Sequence, residues 1–267
     1  MSLTITATEN IPALRLKGLN EGNILNHEPV EVVDMALERL QKAGVELIEW
    51  RAQLYRRMQV PIVVRDYSYL VSDDILDKAT EILLDMGLPP TNTSKVLLRA
   101  EGDFQTKAHK YRITRATSPG FIQNLALYPI SFSTLSWSEV EKQPLYNSPR
   151  CASILVPTPH ALYASLIRMM LRYPRLCSTA TLLHSDLSEL VGYHLLNLQD
   201  GFVDPLDVGE WETKGVEESL ALAAQKVRSW NADQVWRPGE EWIGDALYAV
   251  VEGPGDIEYL PWNSSSR

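Results

Sequence analysis

The stretch WRAQLYRRMQVPIVVRDYSYLV, residues 50–71, decides the fold that the sequence predicts. A buried strand is predicted from Val45 to Trp50, and a short helix is predicted from Ala52 to Gln59. Ile62–Val64 and Tyr69–Val71 are rich in β-branched and aromatic residues, which predicts either a strand pair or one long bent strand. The local order is therefore strand, short helix and strand.

Two polar residues make one face of the second strand chemically distinct. Asp66 and Ser68 are two residues apart, so a strand directs both side chains to the same face. Tyr67 and Tyr69 point to the opposite face and are predicted to pack into the core. The face that carries Asp66 is the first place to look for a functional site.

Helices and strands alternate around this stretch. Pro29 suits the first turn of a helix that Gly44 ends, and Ser72 suits the N-cap of a helix that Gly87 ends. Further strands are predicted at Val96–Arg99, Tyr111–Thr114 and Leu125–Phe132. The alternation indicates a mixed α/β region up to about residue 157.

The second half of the chain reads as helical. Thr158 is a suitable N-cap with Pro159 at the first helical position, followed by His160. This helix is predicted to run to about residue 173, with others over 181–198, 216–230 and 240–251. The predicted fold class is α+β, a mixed sheet with flanking helices followed by a mainly helical C-terminal part. The predicted divisions are an irregular N-terminal arm at 1–28, an α/β domain at 29–157 and a helical domain at 158–267, although two halves packed as one unit fit the sequence equally well.

Charge and composition exclude several classes of protein. A formal net charge of −9 argues against a general nucleic-acid binder, since such proteins need clustered Lys and Arg. Cys151 and Cys177 have no metal-ligand spacing around them and are interpreted as small core residues. No apolar run approaches the ~20 residues that cross a bilayer. We expect a soluble cytoplasmic protein with no membrane association.

The order helix, strand, short helix, strand, helix resembles the core of the nucleotidyltransferase superfamily, in its small antibiotic- or toxin-associated branch. The resemblance rests on Ala52 and Leu54 in the short helix, Val60-Pro61 before the strand and Asp66 on it. It continues through Leu70-Val71 and Asp73-Asp74, then more weakly into the helices, and so covers about residues 30–200. It implies a nucleotidyltransferase-like mixed sheet.

The positions that would carry the family's chemistry differ in this chain. The resemblance implies two small residues before the short helix, where Trp50-Arg51 stands, and a second carboxylate where Ser68 stands. The strand predicted around Leu125–Tyr128 carries no third carboxylate. Two-metal phosphoryl transfer needs carboxylates that hold ions about 4 Å apart. The metal site is therefore interpreted as degenerate and no cofactor is expected. If catalysis remains, Mg²⁺ is expected with Asp66 as its ligand.

Six residues are candidates for the site. Asp66, Ser68 and His160 are the candidate catalytic residues, and Trp50, Arg51 and Arg65 are the candidate ligand-binding residues. For two of them the sequence also allows a purely structural role. Asp66 would then form an ion pair with an arginine, and His160 would be a surface or capping histidine. The helix N-terminus at His160 lowers the pKa of an imidazole, which suits a neutral hydrogen-bonding role.

Three functions are compatible with these residues. The first is a nucleotidyltransferase-fold protein that binds a small molecule or a protein partner without nucleotidyl transfer. The second is a divergent active nucleotidyltransferase, or an enzyme that uses the same cleft for other chemistry. The third is a helical interaction or scaffold protein with a hydrophobic groove lined by the Met169-Met170 helix. The substitutions at Trp50, Arg51 and Ser68 favour the first function over an enzyme.

Overall fold

A computed structural model describes residues 23–118, 120–145, 148–198, 209 and 215–252. Most of the predicted N-terminal arm, residues 1–22, lies outside the described residues, and Ile24–Asn26 forms a short 3₁₀ helix. The division at residue 157 into two domains stays a prediction. Among the described residues, no helix has the length and apolar character that a membrane span requires.

Six strands form one mixed sheet. They are β1 (Ile48–Trp50), β2 (Asp66–Val71), β3 (His109–Arg112), β4 (Asn124–Pro129), β5 (Val140–Pro144) and β6 (Ser153–Pro157). Their order across the sheet is β3-β4-β2-β1-β6-β5. β2 runs parallel to β4 and β1 parallel to β6, while the other neighbouring pairs are antiparallel. The mixed sheet confirms the predicted α+β class.

Helices flank the sheet and make up most of the described chain after it. They are α1 (Pro29–Lys42), α2 (Ala52–Arg57), α3 (Leu76–Asp85), α4 (Lys95–Glu101), α5 (Asp103–Thr106), α6 (Ile130–Ser133), α7 (Pro159–Met170), α8 (Ser178–Leu190), α9 (Val216–Ala232) and α10 (Trp242–Glu252). A π-helix, Val191–Leu195, extends α8. The last four helices confirm the mainly helical C-terminal part.

Two predicted strands are wrong. Val96–Arg99 lies within α4, because Ser94 caps a helix there by accepting a hydrogen bond from the Leu97 N–H at 3.2 Å. Ile62–Val64 has no regular structure. The chain turns tightly at Pro61, where the Ile62 N–H donates to the Val60 carbonyl at 2.8 Å. In α4 the helical hydrogen bonds outweigh the β-propensity of Val96.

One continuous hydrophobic core joins the sheet to the helices that follow it. Trp50 on β1, Tyr69 on β2, and Met169 and Met170 on α7 are all fully buried. The predicted surface groove lined by the Met169-Met170 helix is therefore wrong, because α7 is buried from Ala161 to Met170.

An ion-pair network ties the C-terminal helices to the start of β5. Glu139 Oε1 accepts hydrogen bonds from Arg168 Nη2 at 2.9 Å and from Arg237 Nε at 3.0 Å. Arg168 also donates from Nε to Glu240 at 2.8 Å. The side chains of Glu139 and Arg168 are only 12% and 9% exposed. Each charge in this network therefore depends on the others for compensation.

The Glu139 carboxylate makes stability depend on acid pH. Burial alone would raise the pKa of Glu139, but hydrogen bonds from Arg237, Ser136 and Arg168 lower the pKa overall from its ordinary value of 4.5. Since the pKa is lower in the folded chain, protonation favours the unfolded chain. This contribution is complete above the ordinary pKa and is lost as the pH falls through the folded-state pKa.

We therefore expect the urea midpoint of the wild type to fall more steeply below about pH 4.5 than that of Glu139→Gln. Urea unfolding followed by circular dichroism at a series of pH values measures both slopes. The substitution removes the titrating group, so equal slopes in the two proteins would contradict the assignment.

Candidate functional site

Asp66 begins β2, and both of its carboxylate oxygens accept hydrogen bonds. Oδ2 accepts from Lys110 Nζ at 3.1 Å. Oδ1 accepts from the Asn124 N–H at 3.2 Å and from the Asn124 side-chain amide at 3.0 Å. Lys110 reaches Asp66 from β3, across β4, and its side chain is only 7% exposed. The ion pair predicted as the structural alternative for Asp66 exists, with a lysine in place of an arginine.

Asp66 and Ser68 line a cleft of about 180 Å³ beside β2. Its wall carries charges of both signs. The cations are Arg51, Arg65 and Lys110, the anions are Asp66, Glu101 and Asp186, and the tyrosines Tyr55 and Tyr128 complete the polar lining. Such a wall suits a ligand with polar groups rather than an apolar one.

Arg51 is fixed on one wall of the cleft by two contacts. Its Nη2 lies 3.6 Å from Asp186 Oδ2, and its guanidinium carbon lies 4.1 Å from the centre of the Phe104 ring. Tyr55 donates to the same Asp186 oxygen at 2.9 Å. Burial raises the pKa of Asp186, and Arg51 and Tyr55 oppose this rise. Burial lowers the pKa of Arg51, but Asp186 and neighbouring acidic groups more than offset that effect and raise the pKa overall.

The backbone of Arg51 adopts a conformation that favours glycine. Its φ is 54° and its ψ is −130°, directly before α2. A Cβ atom makes this region costly, typically by about 1–3 kcal/mol. The position therefore tolerates an arginine because the guanidinium is held by Asp186 and Phe104.

A pair of substitutions separates backbone strain from the contacts of the guanidinium. Arg51→Gly and Arg51→Ala both remove the charge beside Asp186, so both are expected to be less stable than the wild type. Arg51→Gly also removes the Cβ and is expected to be about 1 kcal/mol more stable than Arg51→Ala, after allowing for the freedom of glycine in the unfolded chain. Urea unfolding measures the difference. An alanine variant as stable as the glycine variant would show that this backbone is not strained.

The structure brings four of the six candidate residues together and separates the other two. Arg51, Arg65, Asp66 and Ser68 line the cleft. Trp50 pairs with Ser68 across β1 and β2 but is fully buried in the core and does not line the cleft. His160 lies elsewhere, on α7, in an aromatic cluster with Trp230 and Trp236.

The surroundings of His160 point to a packing role. Its ring centre lies 6.1 Å from that of Trp230 and 6.2 Å from that of Trp236. Its Nε2 is 3.0 Å from the Thr158 hydroxyl oxygen. Burial lowers the pKa of His160, with Glu139 and Glu141 opposing the change. The predicted neutral imidazole is thus placed against tryptophans and not beside Asp66.

The divalent metal that the family resemblance implies does not fit these residues. Both oxygens of Asp66 already accept hydrogen bonds, and Ser68 offers no second carboxylate. The buried ammonium of Lys110 would repel a cation bound at Asp66. Across the part of the chain that the structure describes, no three His, Cys, Asp or Glu side chains are grouped to hold a metal ion.

Sequence reasoning missed Lys110, Asn124 and Glu101, and it did not single out Asp186 within the helix predicted over 181–198. A polar residue directly before a buried strand was the available signal for Asn124, which precedes Leu125. For Lys110 the signal was a charged residue next to a predicted strand. Neither pattern predicts that Asp66 is the partner, because such a prediction requires the order of the strands in the sheet.

Comparison with known proteins gives few matches. No protein-family model matches the chain, and no curated protein matches it. Among solved structures, the chain is similar to an antigenic nucleotidyltransferase-like protein from Paracoccidioides brasiliensis, with a TM-score of 0.40 and 13% sequence identity. The match covers 77% of this chain and 91% of that chain. A likeness of this size carries no conclusion about the family or the reaction.

Proposed function

We propose that this chain is a nucleotidyltransferase-like protein with a degenerate metal site, and that its Asp66 cleft binds a small polar molecule without nucleotidyl transfer. The proposal rests on the ion pair between Lys110 and Asp66, in which Nζ lies 3.1 Å from Oδ2. The lysine ammonium supplies, within the protein itself, the positive charge that a divalent metal would bring to this carboxylate.

Two features support the nucleotidyltransferase-like part of the proposal. The succession α1, β1, α2, β2 and α3 is the order on which the family resemblance rests. The resemblance also implies small residues at the turn before α2, and Arg51 at that turn has a backbone conformation that favours glycine. The turn therefore keeps a geometry suited to a small residue, while the arginine side chain occupies the cleft wall.

The size of the cleft limits the ligand. Ligand pockets typically hold about 300–1,000 Å³, whereas this cleft holds about 180 Å³. A ligand smaller than a nucleoside triphosphate is the better fit. Because both signs of charge line the wall, we expect that ligand to be polar and to make hydrogen bonds at both ends.

Thermal-shift titration tests the proposal, with amino acids, sugar phosphates and nucleosides as the first probes. We expect at least one probe to stabilise the wild type without divalent metal, and to stabilise Lys110→Met less. Lys107→Met, which changes an exposed lysine outside the cleft, serves as the matched control. A pyrophosphate-release assay with the four nucleoside triphosphates and Mg²⁺ or Mn²⁺ runs beside it and is expected to show no product. Metal-dependent release that Asp66→Asn abolishes would favour the divergent active enzyme instead.

A further inference from the structure

A second cavity, of about 420 Å³, lies against a different face of α2 from the Asp66 cleft. Ala52 and Tyr55 contribute to the cleft, whereas Leu54 contributes to this cavity. Ala52 and Tyr55 are three residues apart and therefore share one face of α2, whereas Leu54 lies on another face. The two cavities share no lining residue. The volume lies within the range of about 300–1,000 Å³ that is usual for small-molecule sites.

The wall of this cavity combines apolar and polar side chains in similar measure. Leu54, Met58 and Val156 supply apolar surface, His194 and Lys226 supply polar atoms, and Glu141 adds a carboxylate. Arg57 also lines it but is already held by Glu49, with Nη2 2.7 Å from Oε2 and Nε 3.1 Å from Oε1. The charge of Arg57 is therefore compensated, which leaves Lys226 as the more available cation of the wall.

A chain of hydrogen bonds fixes the orientation of Lys226. The buried Tyr163 hydroxyl donates to the Leu190 carbonyl at 3.0 Å, so it accepts from His194 Nδ1, also at 3.0 Å. His194 then carries its proton on Nδ1 and presents the Nε2 lone pair to Lys226 Nζ, 3.2 Å away. The ammonium donates one proton to His194 and lies 5.7 Å from the centre of the Trp230 ring. Among the described residues its other protons have no hydrogen-bond acceptor, so a ligand can accept from them.

The pKa values agree with this arrangement. Burial, together with the neighbouring Lys226, lowers the pKa of His194 to about 4, so the ring is neutral near pH 7. Burial also lowers the pKa of Lys226. Burial disfavours the charged form of Lys226, and an anionic group bound beside it would favour that form again.

The backbone around the cavity is unusual in three places. His194 belongs to the π-helix Val191–Leu195, a rare element that is often found at functional sites. Gln59 and Asn197 also line the cavity, and both have positive φ, at 68° and 53°. Residues in such sparsely populated conformations cluster at ligand sites.

We propose that this cavity is a binding site for a small organic monocarboxylate, whose carboxylate pairs with the Lys226 ammonium and whose apolar body packs on Leu54, Met58 and Val156. His194 acts as a positioning residue that holds Lys226. The site is separate from the Asp66 cleft and does not depend on the function proposed for it.

Isothermal titration with hexanoate and benzoate tests this site, with hexanamide as the neutral analogue of hexanoate. We expect a carboxylate to bind the wild type at least roughly tenfold more tightly than hexanamide, which is the size of one charge-assisted hydrogen bond. Lys226→Met keeps the apolar stem and is expected to lose this preference. Lys107→Met and Asp66→Asn are expected to keep it. The ring ¹⁵N resonances of His194 should show protonation on Nδ1 and should shift when hexanoate is added.

Several outcomes would overturn the proposal. They are equal binding of hexanoate and hexanamide, unchanged hexanoate binding in Lys226→Met, and no binding of either carboxylate. Loss of binding in Asp66→Asn but not in Lys226→Met would place the carboxylate in the Asp66 cleft instead. The two proposals therefore fail separately.

Discussion

Replacing Glu139 by glutamine is expected to lower the free energy of unfolding by about 3–5 kcal/mol. Glu139 accepts hydrogen bonds from Arg168 and Arg237, and its side chain is only 12% exposed. The substitution leaves two guanidinium groups facing a neutral amide, and one of them, that of Arg168, is buried with Nη1 already lacking a hydrogen-bond partner within the described part of the chain. Removal of one partner from a buried ion pair costs much more than the pair itself contributes.

An exposed ion pair provides the control for this substitution. Lys42 donates to Glu38 at 2.7 Å, and its side chain is 70% exposed. Lys42→Met is expected to change stability by less than about 1 kcal/mol. Urea unfolding of both variants measures the contrast. A loss in Glu139→Gln no larger than in Lys42→Met would show that the Glu139 network does not hold the C-terminal helices to the sheet.

Truncation of Trp50 to alanine is expected to cost about 3–5 kcal/mol, the range for large aromatic side chains in a core. Trp50 is fully buried on β1, next to Ser68 on β2. Its indole Nε1 is buried and has no hydrogen-bond partner among the described residues. The side chain therefore stabilises the fold through packing rather than through a polar contact.

Trp50→Phe separates packing from hydrogen bonding. Phenylalanine keeps an aromatic ring and removes an N–H that makes no hydrogen bond, so we expect it to cost less than about 1.5 kcal/mol. Thermal and urea unfolding of both variants measure the two losses. Equal losses in Trp50→Phe and Trp50→Ala would show that the indole N–H has a partner that stabilises the folded chain.

Local signals in the sequence predicted much of the fold. Pro29 and Gly44 bound α1 as expected, and the Thr158-Pro159 pair starts α7. The strands predicted at Ile62–Val64 and Val96–Arg99 were wrong. The β-propensity of a residue describes how well its side chain fits a pleated surface and not a preference of its backbone. Val96 is 75% exposed on α4, and Val63 is 86% exposed in a segment without regular structure. Neither valine finds a sheet to pack on.

The candidate site was predictable only in part. The alternation of a strand placed Asp66 and Ser68 on one face, and both line the cleft. The partners of Asp66 come from far along the chain, Lys110 at a separation of 44 residues and Asn124 at 58. Their meeting depends on the strand order β3-β4-β2, which no local pattern encodes. The role of Asp66 therefore became visible only once the sheet was known.

Binding of Mn²⁺, followed by electron paramagnetic resonance with and without ATP, tests the central claim most directly. If Lys110 occupies the electrostatic place of a metal beside Asp66, the wild type should leave the signal of free Mn²⁺ equal to that of a protein-free sample with the same Mn²⁺ and ATP, and Asp66→Asn should behave identically. Binding of one Mn²⁺ per chain that Asp66→Asn abolishes would contradict the claim, because it would show that Asp66 holds a metal despite its ion pair.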